Sequence, residues 1–121
     1  AAGLATLRVL QDKGVYRELE EKGRILFSGL EAAARSAGVK VVINRIGSMG
    51  SLFFGEDPVS DFASAKASDA GKYKSYYAKM LEQGIYLAPS AFEACFVSTA
   101  HDENSILKTI DSAARSFGSL P

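Results

Sequence analysis

Between Gly14 and Gly38 the chain sets Val15, Leu19, Leu26, Leu30, Ala33 and Ala37 at spacings of three, four and seven. Those intervals stack the side chains along one face of an α-helix. A helix in water is held mainly by burying such a stripe against a second layer, not by propensity. The second layer follows at once. "VKVVINRI", residues 39–46, is β-branched and strand-like, and "SMGSLFF", 48–54, comes straight after Gly47, so the two read as a hairpin. A long amphipathic helix beside a hairpin points to an α+β fold.

The remaining elements fit that frame. "AAGLATLRVLQDKG" is helical in composition but opens without a capping residue, so the chain reads as one entered in the middle of a helix, with Gly14 as the break after it. "GEDPVSDFASAKASD" is a polar loop with room for one helical turn at Phe62–Lys66. Asp69 is placed to cap a helix on which Tyr73, Tyr76, Tyr77, Met80 and Leu81 share a face, and Gly84 ends it. Ile85–Leu87 and "CFVST" (95–99) read as a second pair of strands. Asp102 caps a last helix with Glu103 against its N-terminal dipole, and Ile106, Ile110, Ala113 and Phe117 form its buried stripe.

At 121 residues the chain is one domain by size. Its 14 acidic and 14 basic residues cancel, which argues against a nucleic-acid partner, since phosphate binding needs a basic excess. No apolar run approaches the ~20 residues of a bilayer span, so no membrane partner is expected. Cys95 is the only cysteine, which leaves no internal disulfide and no cysteine cluster for zinc, and suggests a reduced, intracellular setting. His101, the only histidine, directly precedes a helix cap and reads as structural. Gly47 and Gly50 lack both the dinucleotide and the Walker pattern and suit a hairpin turn better. Asp57, Asp61 and Asp69 lack calcium-loop spacing, and no metal site is expected.

One residue stands apart. In "YLAPSAFEACFVSTAH", Tyr86–His101, the carboxylate of Glu93 falls between a proline turn and an apolar run, flanked by Phe92 and Phe96, with no Lys or Arg nearby in sequence. It either points to water from a turn or faces a cleft that another part of a protein completes.

That stretch, with "NRIGSMGSLFF", "DPVSDFASAKASD", "MLEQGIYLAPSAFEACFVSTAHDENSI" and "TIDSAARSF", resembles the C-terminal part of the glutamate-1-semialdehyde 2,1-aminomutase family, and the likeness runs essentially end to end. A sister class III aminotransferase and a free-standing α+β interaction module are the alternatives. The resemblance implies the small C-terminal domain of a fold-type I pyridoxal-phosphate enzyme, with an antiparallel or mixed sheet of about three to four strands and helices on one face. Residues 1–121 would be a single domain cut from a larger enzyme that turns glutamate-1-semialdehyde into 5-aminolevulinate.

By the same resemblance the cofactor, pyridoxal 5'-phosphate (PLP), is bound mainly by a missing N-terminal large domain of a homodimer, in a bacterial cytoplasm or a plastid stroma. None of the eight lysines here matches the family's catalytic lysine, so this chain alone is expected to be inactive, with no cofactor-binding residue of its own. Glu93 is the one site residue carried over. Related aminotransferases offer an arginine in this region for a substrate carboxylate, whereas a glutamate there would attract amino groups. Ser90 and Ala91 would shape its turn. Two positions depart from the family pattern: Cys95 replaces a glycine, and Gly50 stands where an aromatic is common.

Overall fold

The computed structural model describes all 121 residues, in the order α1 (Ala2–Val9), α2 (Lys13–Ser36), β1 (Val41–Ile46), β2 (Met49–Phe54), α3 (Phe62–Ala67), α4 (Ala70–Glu82), β3 (Cys95–Phe96) and α5 (Glu103–Phe117). The three strands form one antiparallel sheet in the order β1-β2-β3. The α+β expectation holds.

β1 and β2 pair from Val41↔Phe54 to Ile46↔Met49 across the two-residue turn Gly47–Ser48. Gly47 has φ +58°, the left-handed value that only glycine adopts freely at the first position of such a turn. Pleating then sends Val41, Ile43, Leu52, Phe54 and Cys95 to one side, where they meet the core formed by α2, α4 and α5. At its centre Phe54 lies edge-on to Tyr76 (5.7 Å between centroids) and Phe117 (6.1 Å), while Tyr76 and Phe117 stack at 4.8 Å. The opposite face of the sheet carries Ile46, Met49 and Phe96 in one cross-strand row, and Ile46 and Phe96 are exposed.

The helix ends follow side-chain chemistry. Asp61, Asp69 and Asp102 accept the backbone N–H of Ser64, Lys72 and Ser105, each at 2.8 Å, capping α3, α4 and α5. The break after α1 comes earlier than Gly14. Asp12 accepts the Gly14 N–H at 2.8 Å and caps α2, so Gly14 lies inside that helix. A competing side-chain acceptor, not the glycine, ends the first run.

The stripe of α2 is also shifted. Phe27 and Ala34 are buried with Leu30, whereas Ala37 is the exposed C-cap. On α4, Tyr73, Tyr76 and Met80 are buried as expected, but Leu81 is exposed. On α5, Ile106, Ala113 and Phe117 are buried and Ile110 half-buried, joined by the buried Ser112 and Ser116. Gln83 at the end of α4 donates to Ser116 Oγ (2.8 Å) and the Ser112 carbonyl (3.2 Å), and its own oxygen accepts from Arg115 (2.8 Å). α1 buries no residue, and Leu4, Leu7 and Val9 are all exposed.

The second strand pair does not form. Ile85–Leu87 belongs to no strand, and "CFVST" contributes only Cys95 and Phe96, which pair with β2. Beyond them, His101 draws the chain into a turn by accepting the Ser98 N–H at its Nδ1 (3.0 Å), the local structural role its position suggests.

The α5 cap makes stability sensitive to acid. The hydroxyl of Ser105, and then its N–H, hold the Asp102 carboxyl below the usual carboxylate range. A group whose folded-state pKa is depressed contributes stability above its unfolded value, roughly 3.9, and loses it as pH falls through the folded value. Thermal melts taken below about pH 4 should therefore fall less steeply in Asp102→Asn, which caps without titrating. Parallel acid limbs in the two proteins would refute this.

Candidate functional site

Glu93 is held by a turn that its neighbours build. The Ser90 carbonyl accepts the Glu93 N–H at 3.2 Å, Ser90 Oγ accepts the Phe92 N–H at 3.2 Å, and Ala91 is buried in the core. Ser51 Oγ reaches the Glu93 carbonyl at 3.5 Å, tying the turn to β2. The backbone is thus anchored while the side chain is exposed. Its carboxylate takes part in none of the five ion pairs, all of which lie elsewhere.

Two cavities meet at this residue. The larger, about 630 Å³, runs between the Gly84–Pro89 segment, Ala94–Val97 and the first half of α5. The smaller, about 40 Å³, lies inward between Glu93, Gly50, Cys95 and Tyr73. Burial pushes the Tyr73 hydroxyl up to about 12, with Cys95 and then Glu93 adding to it. It therefore stays protonated and donates to the Ala88 carbonyl at 2.6 Å. An uncharged phenol on one side and open space on the other leave Glu93 as an acid without a counter-charge beside it.

The surroundings differ from the expected pair of flanking phenylalanines. Phe96 lines the large cavity, but Phe92 turns toward Phe62 of α3, with centroids 6.1 Å apart. Lys108 and His101 enter the same cavity wall, although neither is close to Glu93 in sequence. Their presence depends on how α5 folds back, and nothing local to Glu93 signals it. The two departures from the family pattern prove to be direct cross-strand partners, Gly50 opposite Cys95. A Cβ at Gly50 would come within 2.5 Å of the Phe27 ring, so the ring fills the space that a side chain at 50 would need.

The Gly47 turn packs against α2: the Gly47 carbonyl accepts from Arg45 at 2.7 Å, and a Cβ on Gly23 of α2 would collide with that same carbonyl oxygen. The half-buried Lys22 is engaged by Glu18 and by the Thr99 carbonyl at 2.9 Å, and Lys108 is the only lysine lining the large cavity, where it is exposed.

No family model matches the chain. Among curated relatives, the glutamate-1-semialdehyde 2,1-aminomutase of Desulfosudis oleivorans is 52% identical over 120 residues, covering 99% of this chain and 28% of the relative. The protein of the same name from Desulforamulus reducens is 50% identical over 116 residues, covering 96% and 27%. Among solved structures, a transaminase with PLP bound superposes with a TM-score of 0.77 at 25% identity, over 96% of this chain and 26% of that one. An omega-transaminase from Sphaerobacter thermophilus shares the fold, with a TM-score of 0.80 at 20% identity, over 96% and 26%. From end to end this chain is similar to the C-terminal part of the glutamate-1-semialdehyde 2,1-aminomutases, and it spans about 28% of their length.

Proposed function

We propose that the chain is the small C-terminal domain of a PLP-dependent aminomutase that converts glutamate-1-semialdehyde to 5-aminolevulinate, and that Glu93 serves that reaction. The supporting observation is an anchored glutamate with no ion-pair partner at the mouth of an open cavity, in a chain about half identical to proteins of that name. Bound PLP supplies the electron sink for amino-group exchange. Glu93 offers a negative charge to the substrate's amino groups, Tyr73 stays neutral behind it, and the Ser90 turn anchors the Glu93 backbone. The remaining sequence supplies a large domain that holds the cofactor, in a homodimer of the bacterial cytoplasm or plastid stroma. No helix of this chain is long and apolar enough to cross a membrane.

An aminomutase moves nitrogen within one molecule and needs no second keto acid, whereas a transaminase does. The full-length protein given glutamate-1-semialdehyde alone should accumulate 5-aminolevulinate. Dependence of turnover on an added keto acid would reassign it to the transaminases.

The 121-residue chain itself should form no specific Schiff base. Borohydride reduction after mixing with PLP, followed by peptide mapping, should show only scattered labelling of its eight lysines. A stoichiometric adduct at one of them would overturn the division of labour.

A further inference from the structure

α3 spans six residues and buries none of them. A helix that short does not stand in water by propensity, and this one has no buried stripe to lean on. Polar bonds hold it instead. At its start Asp61 accepts the Ser64 N–H at 2.8 Å, and Ser64 Oγ accepts the N–H groups of Asp61 and Ser60, each at 3.1 Å. The loop before it is tied to β1, where the Asn44 side chain donates to the Val59 carbonyl at 2.7 Å. Just past its end the Asp69 N–H donates to the Phe54 carbonyl of β2 at 2.9 Å. Both ends of α3 are pinned to the sheet.

What this frame presents is Phe62, the first residue of the helix and 72% exposed. Its ring lies 6.1 Å from that of Phe92, tilted by 48°. Phe92 carries the one large apolar side chain of the Glu93 turn. That turn has firm points on either side: Ala88, which Tyr73 holds, and Cys95, which pairs with β2. Between them the hold is thin. The two 3.2 Å bonds to Ser90 lie within the turn and travel with it, and the Ser51 contact to the Glu93 carbonyl, at 3.5 Å, is long for a hydrogen bond. Ala91 is buried, but so short a side chain fixes a point and not the rotation about it. The Phe92 ring is the longest lever on the turn, and Phe62 is what it meets.

We propose that Phe62 is a positioning residue: its ring, braced by α3 against the sheet, holds Phe92 and so sets where the Glu93 turn stands at the cavity mouth. The inference rests on reading Glu93 as the group that meets the substrate's amino groups. An aromatic pair attracts beyond the area it buries, which biases held over released positions by about three- to tenfold. Small misplacements of a group beside reacting atoms are costly, so that bias is felt in turnover.

Phe62→Ala in the full-length enzyme, alone and combined with Glu93→Gln, tests the proposal. Alone it should lower kcat by about three- to tenfold and leave the melting temperature unchanged. In the Glu93→Gln background it should cost less than about twofold, because the group it positions has already lost its charge. Phe62→Tyr, which keeps the ring, should retain the parent turnover. The Phe92 and Glu93 amides should exchange hydrogen about three- to tenfold faster in Phe62→Ala. Unchanged exchange at both amides overturns the proposal. So does an equal loss of kcat in the two backgrounds, which would make Phe62 a contact of the rest of the enzyme, and so does undiminished kcat where Glu93→Gln is impaired. Should Phe62→Ala melt early, Phe62→Leu, which drops the ring but keeps apolar bulk, takes its place in the same measurements. Full turnover in Glu93→Gln rejects the functional reading instead, and the exchange rates then decide the brace by themselves.

Discussion

Glu93→Gln in the full-length enzyme should lower turnover by roughly ten- to a thousand-fold while leaving the melting temperature unchanged. The amide keeps the shape and part of the hydrogen bonding but loses the charge. If the cleft closes over the carboxylate and expels water, its attraction for an ammonium group strengthens, and that is the interaction the variant removes. Nothing in the isolated chain holds the side chain: it is exposed and makes no ion pair, and its turn is built from backbone and from Ser90. Surface substitutions of that kind ordinarily shift stability by less than about 0.5 kcal/mol. Steady-state kinetics beside a thermal melt separates the possibilities. Undiminished turnover would return Glu93 to the role of a wet residue on a turn, and a collapsed melt would make it structural.

Phe54→Ala should destabilise the chain by about 3–5 kcal/mol, the range for deleting a buried aromatic. Phe54 is 2% exposed and contacts both rings of the Tyr76–Phe117 stack. Neither neighbour can close the hole, because each is also packed against the other. Domains of this size hold only about 5–15 kcal/mol in all, so the variant would stand near its unfolding threshold. Urea titration measures the loss. A shift under about 1 kcal/mol would mean that the core collapses into the cavity and that its packing is looser than the ring geometry implies.

What could be read from the sequence was local. Asp69 and Asp102 announce helix starts because the capping bond spans three residues, and Gly47 announces the hairpin because only glycine tolerates its backbone angle. The same holds for Glu93, whose turn is written in the residues beside it. One failure was local, the cap that Asp12 places on Gly14, and most of the others are non-local. Residues 85–87 have strand composition, but a strand needs a partner, and none of the 121 residues lies beside them in register. Phe27 shares the buried face of α2 with Gly23, Leu30 and Ala34, and Ala37 is left out because the helix ends at Ser36. Lys108 reaches the cavity of Glu93 only because α5 packs across α2 and α4. Gly50 and Cys95 are 45 positions apart yet direct neighbours in the sheet, a pairing that nothing local to either residue signals.

The polar contacts where α4 meets α5 bear on how this interface could be redesigned. A stripe of apolar residues repeating every three to four positions looks nearly the same to its neighbour after sliding by one turn, so greasy contact alone sets the helix's depth poorly. Gln83 breaks that degeneracy by reaching three groups on α5 at once, the Ser112 carbonyl, Ser116 Oγ and Arg115. An engineer who replaced Gln83, Ser112 and Ser116 with well-packed alkyl side chains could keep or even raise the free energy of unfolding. The helix would then have more than one place to rest, and the wall of the Glu93 cavity that α5 provides would drift with it.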